Sequence, residues 1–378
     1  MASAKGFKSV GYIDVKGGGQ VVCDRGTAYV GHIFGPEATS VIDVRDPKNP
    51  KLIETINLPW KNGAHSHKVR VKNGVMVTNV ESVAYGEHKP PADFVGGLNI
   101  YDVSDPRKPV FLKKWECADK GVHRYTFDGR YAYISPCVKG YRANIVMILD
   151  LKDPANPVEA GRWWMKGQWK DGGETPTWRE NGNLIPHCHH PIRKGNILYT
   201  SYWHGGFVIL DITDMSKPKQ LSGMDWSGAY GWPSHTCLPL PGKKEGREFM
   251  LHADECAVPR WNDADPAHAM LRMIDVTDPT NPICVSSFRV PSEHSGVQTC
   301  HQPAEDVMGD EIPVAWFNYG LRMIDVSDPF AIKEVAHYEY DPPSGVKAIK
   351  ANDVCWDDRG LIYVIDRSQG LHIVERTH

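Results

Sequence analysis

The sequence predicts an all-β chain, a seven-bladed β-propeller of four-stranded antiparallel blades, closed by an N-terminal strand that completes the last blade. Three observations predict it. One phrase recurs along the chain at intervals of 48 to 64 residues, each interval divides into strand-sized pieces, and the end of the chain lacks a strand that its beginning supplies.

The phrase reads SVIDVRDP ending at Pro47, LNIYDVSDP ending at Pro106, VMILDLKDP ending at Pro154 and FVILDITDM ending at Met215. Two near-identical copies, LRMIDVTDP and LRMIDVSDP, end at Pro279 and Pro329. Its first aspartate falls at Asp43, Asp102, Asp150, Asp211, Asp275 and Asp325, and a shortened seventh copy, LHIVE, brings Glu375 to the matching place. Between copies, Val, Ile, Tyr and Phe alternate with polar residues and are punctuated by Gly, Asp, Asn and Pro, the pattern of short strands. Residues 67–115 form the cleanest unit: HKVRV, the turn Lys72-Asn73-Gly74, VMVTNV, a longer loop, LNIYDV, the turn SDPRKP, and VFLKKW. In the turn, Asp bonds the following amides while Pro fixes φ and ends the strand. After LHIVE the chain stops one strand short, and FKSVGYIDV near the start supplies that strand, so residues 1–378 read as one propeller domain.

These six phrases resemble the LVIVD repeat, a β-propeller repeat of bacterial and archaeal proteins, and the resemblance extends over essentially the whole chain. It implies the architecture. The motif serves packing and turns, so it implies no catalytic residue.

Superposing the inner strands puts one residue of each blade toward the axis: Gln20, His67, His123, His190, His235, His301 and Asn352. Five histidines in one register, of 17 in the chain, point to a metal site, because neutral imidazole is the commonest protein metal ligand. The register admits a slip, with His65 in place of His67, and His187 or His189 in place of His190. Polar packing around a water-filled channel would use the same residues.

The longer loops fall at the same end: residues 82–97, 165–186, 226–234, 255–270 and 291–300. Trp163, Trp164, Trp169, Trp178, Trp203, Trp226, Trp232 and Trp261 lie in or beside loops at this end and would roof a dry pocket. Carboxylates complete the inventory. Glu81 or a similar residue can fix a histidine tautomer, and Glu255 and Glu305 are the candidate general bases. Asp254 and Asp306 sit beside them, and His32, His204 and His252 are further polar candidates. Gly17-Gly18-Gly19 precedes a strand and lets the chain pass closely near the axis. Cys188 and Cys300 read as buried thiols.

Composition narrows the classes. With 41% hydrophobic and 24% charged residues the chain can bury a full core, which excludes disorder. A formal charge of -3 gives no cationic field for nucleic acid or an anionic membrane. The start lacks an apolar run of signal-peptide length, so the expected location is the cytoplasm. Nine cysteines contain no CxxC pair, and HExxH, GxSxG, Walker and helix-leading GxGxxG signatures are absent.

The expected function is a metal-dependent enzyme acting on a small apolar or aromatic organic molecule, with a divalent transition metal, iron before zinc, manganese or copper. An all-histidine site resembles the four-histidine iron centre of carotenoid cleavage oxygenases, also seven-bladed propellers. Metal-assisted hydrolysis or lysis is the alternative chemistry, and a non-enzymatic binding platform the alternative class. The assembly state, homo-oligomer or monomer, stays open.

Overall fold

The structure is a computed structural model that describes residues 2–60, 63–82, 92–178, 185–226, 233–255, 269–290 and 300–377. Seven antiparallel sheets follow one another along the chain and form the seven-bladed propeller. Blade 1 runs Gly18–Asp24, Thr27–His32, Glu37–Asp43 and Lys51–Asn57 from the inside outward. Blades 2 to 5 repeat this order, with inner strands at Ala64–His65 and Val69–Lys72, Val122–Phe127, Cys188–Lys194 and Ser234–Pro239. Gln302–Pro303 opens blade 6 and Ala351–Trp356 opens blade 7. The one helical element among the described residues is a single turn, Trp203–Gly205.

The recurring phrase forms the third strand of each blade and ends in the turn its chemistry dictates. The first aspartate accepts the amide of the residue two further on, at Arg45, Ser104, Lys152, Thr213, Thr277 and Ser327. The second does the same at Lys48, Arg107, Ala155, Ser216, Thr280 and Phe330. Each turn therefore satisfies two amides without help from a neighbouring blade.

Third strands are buried on both faces while outer strands are largely exposed. Leu271 and Met273 of blade 5 share a dry cluster with Val314, Trp316 and Ile324 of blade 6. Blades thus hold one another through apolar faces, each fully buried Leu, Ile or Met contributing about 1.5 to 3 kcal/mol.

Closure follows expectation and adds to it. Phe7–Ile13 pairs with Leu371–Arg376 as the outer strand of blade 7. Ser3–Lys5, one step earlier, pairs with Lys333–Glu339 and gives blade 6 a fifth strand. The first residues therefore bind two consecutive blades together.

Candidate metal centre

Inner strands do not begin regularly. In blade 4, Cys188 faces Tyr202 and His190 faces Ser201, so His189 has no partner in the ladder. The same bulge isolates His235 in blade 5 and Asn352 in blade 7. In blade 3 the shift spans Val122 to Tyr125 and contains His123 and Arg124, and in blade 2 His67 falls in the gap between the pairs His65–Glu81 and Val69–Thr78. A bulge inserts an extra residue and bends the strand, so two successive side chains can reach the axis instead of alternating.

The result is an arc of imidazoles with a second polar layer behind it. Ring centroids are separated by 5.1 Å from His67 to His123, 4.8 Å to His189, 4.5 Å to His235 and 4.2 Å to His301. Asn352 continues the arc, its carbonyl accepting from His301 Nδ1 and its side-chain amide donating to the Gly19 carbonyl. Gly19 fits the close passage expected of the triple glycine, for a Cβ there would stand 2.6 Å from the His67 carbonyl oxygen.

Of the five expected ligands, His67, His123, His235 and His301 lie in this arc and His190 does not. His189 holds the fourth place, and His190 turns into the second layer. There its Nε2 lies 3.4 Å from Glu305, which also pairs with Arg70 and with Arg124. Glu305, expected as a base at the mouth, is therefore a buried counter-ion. Burial pushes its carboxyl up, but Arg70, His190 and Arg124 outweigh this and hold it well below the usual range. Gln20 belongs to the same layer, where its side chain accepts from the Val69 amide.

Hydrogen bonds set the tautomers of four ring members. His189 Nδ1 lies 2.8 Å from the His235 carbonyl, and His301 Nδ1 bonds the Asn352 carbonyl. A carbonyl only accepts, so both Nδ1 atoms carry the proton. His235 Nδ1 lies 2.8 Å from Thr236 Oγ1, whose own proton goes to Gln302 Oε1 at 2.8 Å. His123 Nδ1 lies 2.9 Å from both oxygens of Glu81. Every Nε2 is thereby left to accept, and those of His123 and His189 face each other at 3.1 Å. Two lone pairs in that position need a proton or a metal ion between them. Ligands about 2.0 to 2.2 Å from one ion stand roughly 3 Å or more apart, so the separation suits shared coordination.

Charge and burial agree with metal binding. Burial, reinforced by neighbouring positive groups, lowers His67, His189, His235 and His301 well below the ordinary imidazole value and keeps them neutral. Glu255 stands 3.7 Å from His235 Nε2 and 3.8 Å from His301 Nε2, its carboxyl raised by burial against the pull of Arg367 and Lys68. His189, His235 and Glu255 offer ligand atoms within 4.8 Å of one another, as do His65, His67 and Glu81. Both groups could hold a metal ion. Burial would also raise Glu81, but His123 and then His65 bring it down to about 2.

Other candidates have structural partners. His32 bonds Lys16 and Ser40, His252 bonds Ser234, and Asp254 pairs with Arg272 at 2.7 Å. Cys188 is fully buried, and burial pushes its thiol far up. Trp203 stacks on His189 at 4.6 Å, whereas Trp164 and Trp169 pack with Tyr141, and Trp226 packs on His252. Phe317, which the sequence did not single out, stacks on His301 at 4.4 Å. Trp232, Trp261 and residues 83–91, 179–184, 227–232, 256–268 and 291–299 of the long loops lie outside the described residues.

Known solved structures similar to this chain include Pseudomonas aeruginosa periplasmic gluconolactonase PpgL, with a TM-score of 0.62 and 11% identity over 93% of this chain and 96% of that one. The β-propeller domain of Myceliophteria thermophila Cps50 (Swd1) matches with a TM-score of 0.59 and 10% identity over 100% of both chains. Saccharomyces cerevisiae Sqt1 matches with a TM-score of 0.56 and 10% identity over 99% of this chain and 89% of that one. Such identities establish shared architecture alone. No curated protein sequence matches the chain significantly. The family model for the LVIVD repeat matches residues 91–115, 194–223 and 307–339, segments that contain none of the ring histidines. The chain is a seven-bladed β-propeller carrying LVIVD repeats.

Proposed function

We propose that this chain is a metal-dependent enzyme working at the histidine-lined mouth of its propeller. Iron is the preferred ion before zinc, manganese or copper, and the substrate is a small apolar or aromatic organic molecule that is oxidised or cleaved. One observation carries the reading: His123, His189, His235 and His301 each commit Nδ1–H to a fixed acceptor, and His189, His235 and Glu255 offer ligand atoms within 4.8 Å of one another. A nitrogen and carboxylate donor set without thiolate suits these metals. Bound there, the ion would supply Lewis-acid or one-electron chemistry.

The chain's own residues have separable tasks in this reading. The four imidazoles hold the ion, while Glu81, Thr236 and the carbonyls of His235 and Asn352 keep them oriented. Trp203 lies flat on His189 as an apolar wall, which favours an apolar or aromatic substrate, while the fully buried Phe317 backs His301. His123, whose side chain is 28% exposed, marks the accessible side. Glu255, with its carboxyl raised by burial, would take up or return a proton at its Oε atoms. That same raised carboxyl favours a second reading, metal-assisted hydrolysis or lysis with Glu255 as acid and base.

Elemental analysis by plasma mass spectrometry, on tag-free protein purified without chelator, tests the proposal together with His123→Ala and His189→Ala. Near-stoichiometric iron that both variants lose supports oxidation, and zinc or manganese lost in the same way supports hydrolysis or lysis. Protein that takes up no metal after reconstitution would overturn both readings and leave a binding platform.

A further inference from the structure

We propose that a second divalent cation binds at His65, His67 and Glu81, so that the mouth of the propeller is a two-ion site. The inference rests on the metal-dependent reading and extends it, because the ring centre draws its ligands from His123, His189, His235 and His301.

The juxtaposition is built into the backbone. His65 and Glu81 are direct cross-strand partners in blade 2, and His67 follows in the gap before the ladder resumes at Val69. The His65 and His67 rings stand 4.2 Å apart, and all three residues offer ligand atoms within 4.8 Å of one another. All are withdrawn from solvent, with side chains 7% exposed at each histidine and 12% at Glu81.

Hydrogen bonding provides the second, independent observation. His65 Nδ1 lies 3.1 Å from the Ile33 carbonyl, so Nδ1 carries the proton. Its Nε2 then stands 2.8 Å from Glu81 Oε2. At that distance a proton sits at the contact, and a cation that displaced it would hold the two ligand atoms roughly 3 Å or more apart, a movement of a few tenths of an ångström. His67 Nδ1, which accepts from Asn79 Nδ2 at 3.3 Å until a cation takes the place of that bond, lies 3.8 Å from the same Oε2. Thus two imidazoles from the segment 65–67 and one carboxylate oxygen from the facing strand converge.

Glu81 and His123 connect the two centres. Both Glu81 oxygens lie within 2.9 Å of His123 Nδ1, so one can keep the bond that orients His123 while the other serves the second cation. His123 in turn presents Nε2 to His189. Neutralising Glu81 from one side would alter the basicity of the ligand on the other, which makes the two ions interdependent.

Cobalt(II) titration of the chelator-stripped full chain tests this, with equivalents bound read from visible absorption and checked by elemental analysis. Wild type should saturate at about two equivalents, and His65→Ala and His65→Gln at about one, with the absorption of the ring centre retained. His235→Ala should lose the ring centre's signal instead. Circular dichroism and thermal melting of each variant show that the fold is intact, and the pair of His65 variants guards against a packing defect in one. Saturation of wild type at one equivalent, unaffected at His65, would overturn the second site and leave the ring centre standing. Two equivalents unchanged in both His65 variants would overturn the assignment to these residues. Failure to bind cobalt at all would overturn the ring centre with it.

Discussion

His123 Nε2 and His189 Nε2 face each other at 3.1 Å across the boundary between blades 3 and 4. Each has its other ring nitrogen committed, to Glu81 and to the His235 carbonyl respectively. The contact is favourable only with a proton or a metal ion between the two nitrogens. The two residues are 66 positions apart in sequence, so the propeller's curvature, not local chain geometry, creates it.

The first prediction separates two adjacent histidines. His189→Ala should weaken metal binding by more than about 100-fold, beyond what is typical for a partner outside the coordination sphere. His190→Ala should leave metal content unchanged and cost about 1 to 3 kcal/mol of stability through a lost buried contact. Metal dialysis and urea unfolding of both variants check this.

The register of these residues is where the sequence is hardest to read. Alternation along a strand assigns inward positions by steps of two, and the bulges at His123, His189, His235 and Asn352 break that count by one residue. His67, His123, His235 and His301 were legible because they open their strands, whereas the run His187-Cys188-His189-His190 offered several candidates. The repeat and its Asp-Pro turns were legible because they are local: each aspartate bonds an amide two residues away. Glu305 was not, since its partners Arg70 and Arg124 come from other blades, the latter 181 residues distant. Nothing near position 305 announces two arginines.

A second prediction concerns that deep layer. Arg124 is wholly buried, and Arg70 is mostly so. Glu305→Gln removes their counter-charge and should cost about 3 to 5 kcal/mol, the range for breaking one partner out of a buried ion pair. Metal affinity of the folded fraction should change little. Chemical unfolding with metal analysis distinguishes this counter-ion role from catalysis.

Thr236→Val supplies a third. It keeps the shape of a fully buried residue but removes the oxygen that accepts from His235 Nδ1. His235 then loses the bond that sets its tautomer, and metal affinity should fall about 10- to 100-fold. Competition with a chromogenic chelator measures it.

A fourth uses a histidine remote from the site. His372 stacks on Tyr340 at 4.0 Å, and burial lowers its pKa to about 4. An unfolded chain binds this proton near the ordinary value of about 6.5, so the unfolded state holds more protons between the two. Its contribution is thus complete above about pH 6.5 and is lost as pH falls toward 4, on the order of 3 kcal/mol. His372→Phe should flatten that part of the stability profile relative to wild type, as measured by urea unfolding from pH 7 to pH 4.

In the proposed function one metal ion is held by His123, His189, His235 and His301. Anomalous diffraction from crystals of iron-loaded protein, recorded on both sides of the iron absorption edge, locates the ion directly. The expected result is an anomalous peak bounded by the four Nε2 atoms beside Glu255. A peak elsewhere, or an iron-free ring in crystals whose other sites are loaded, would contradict it.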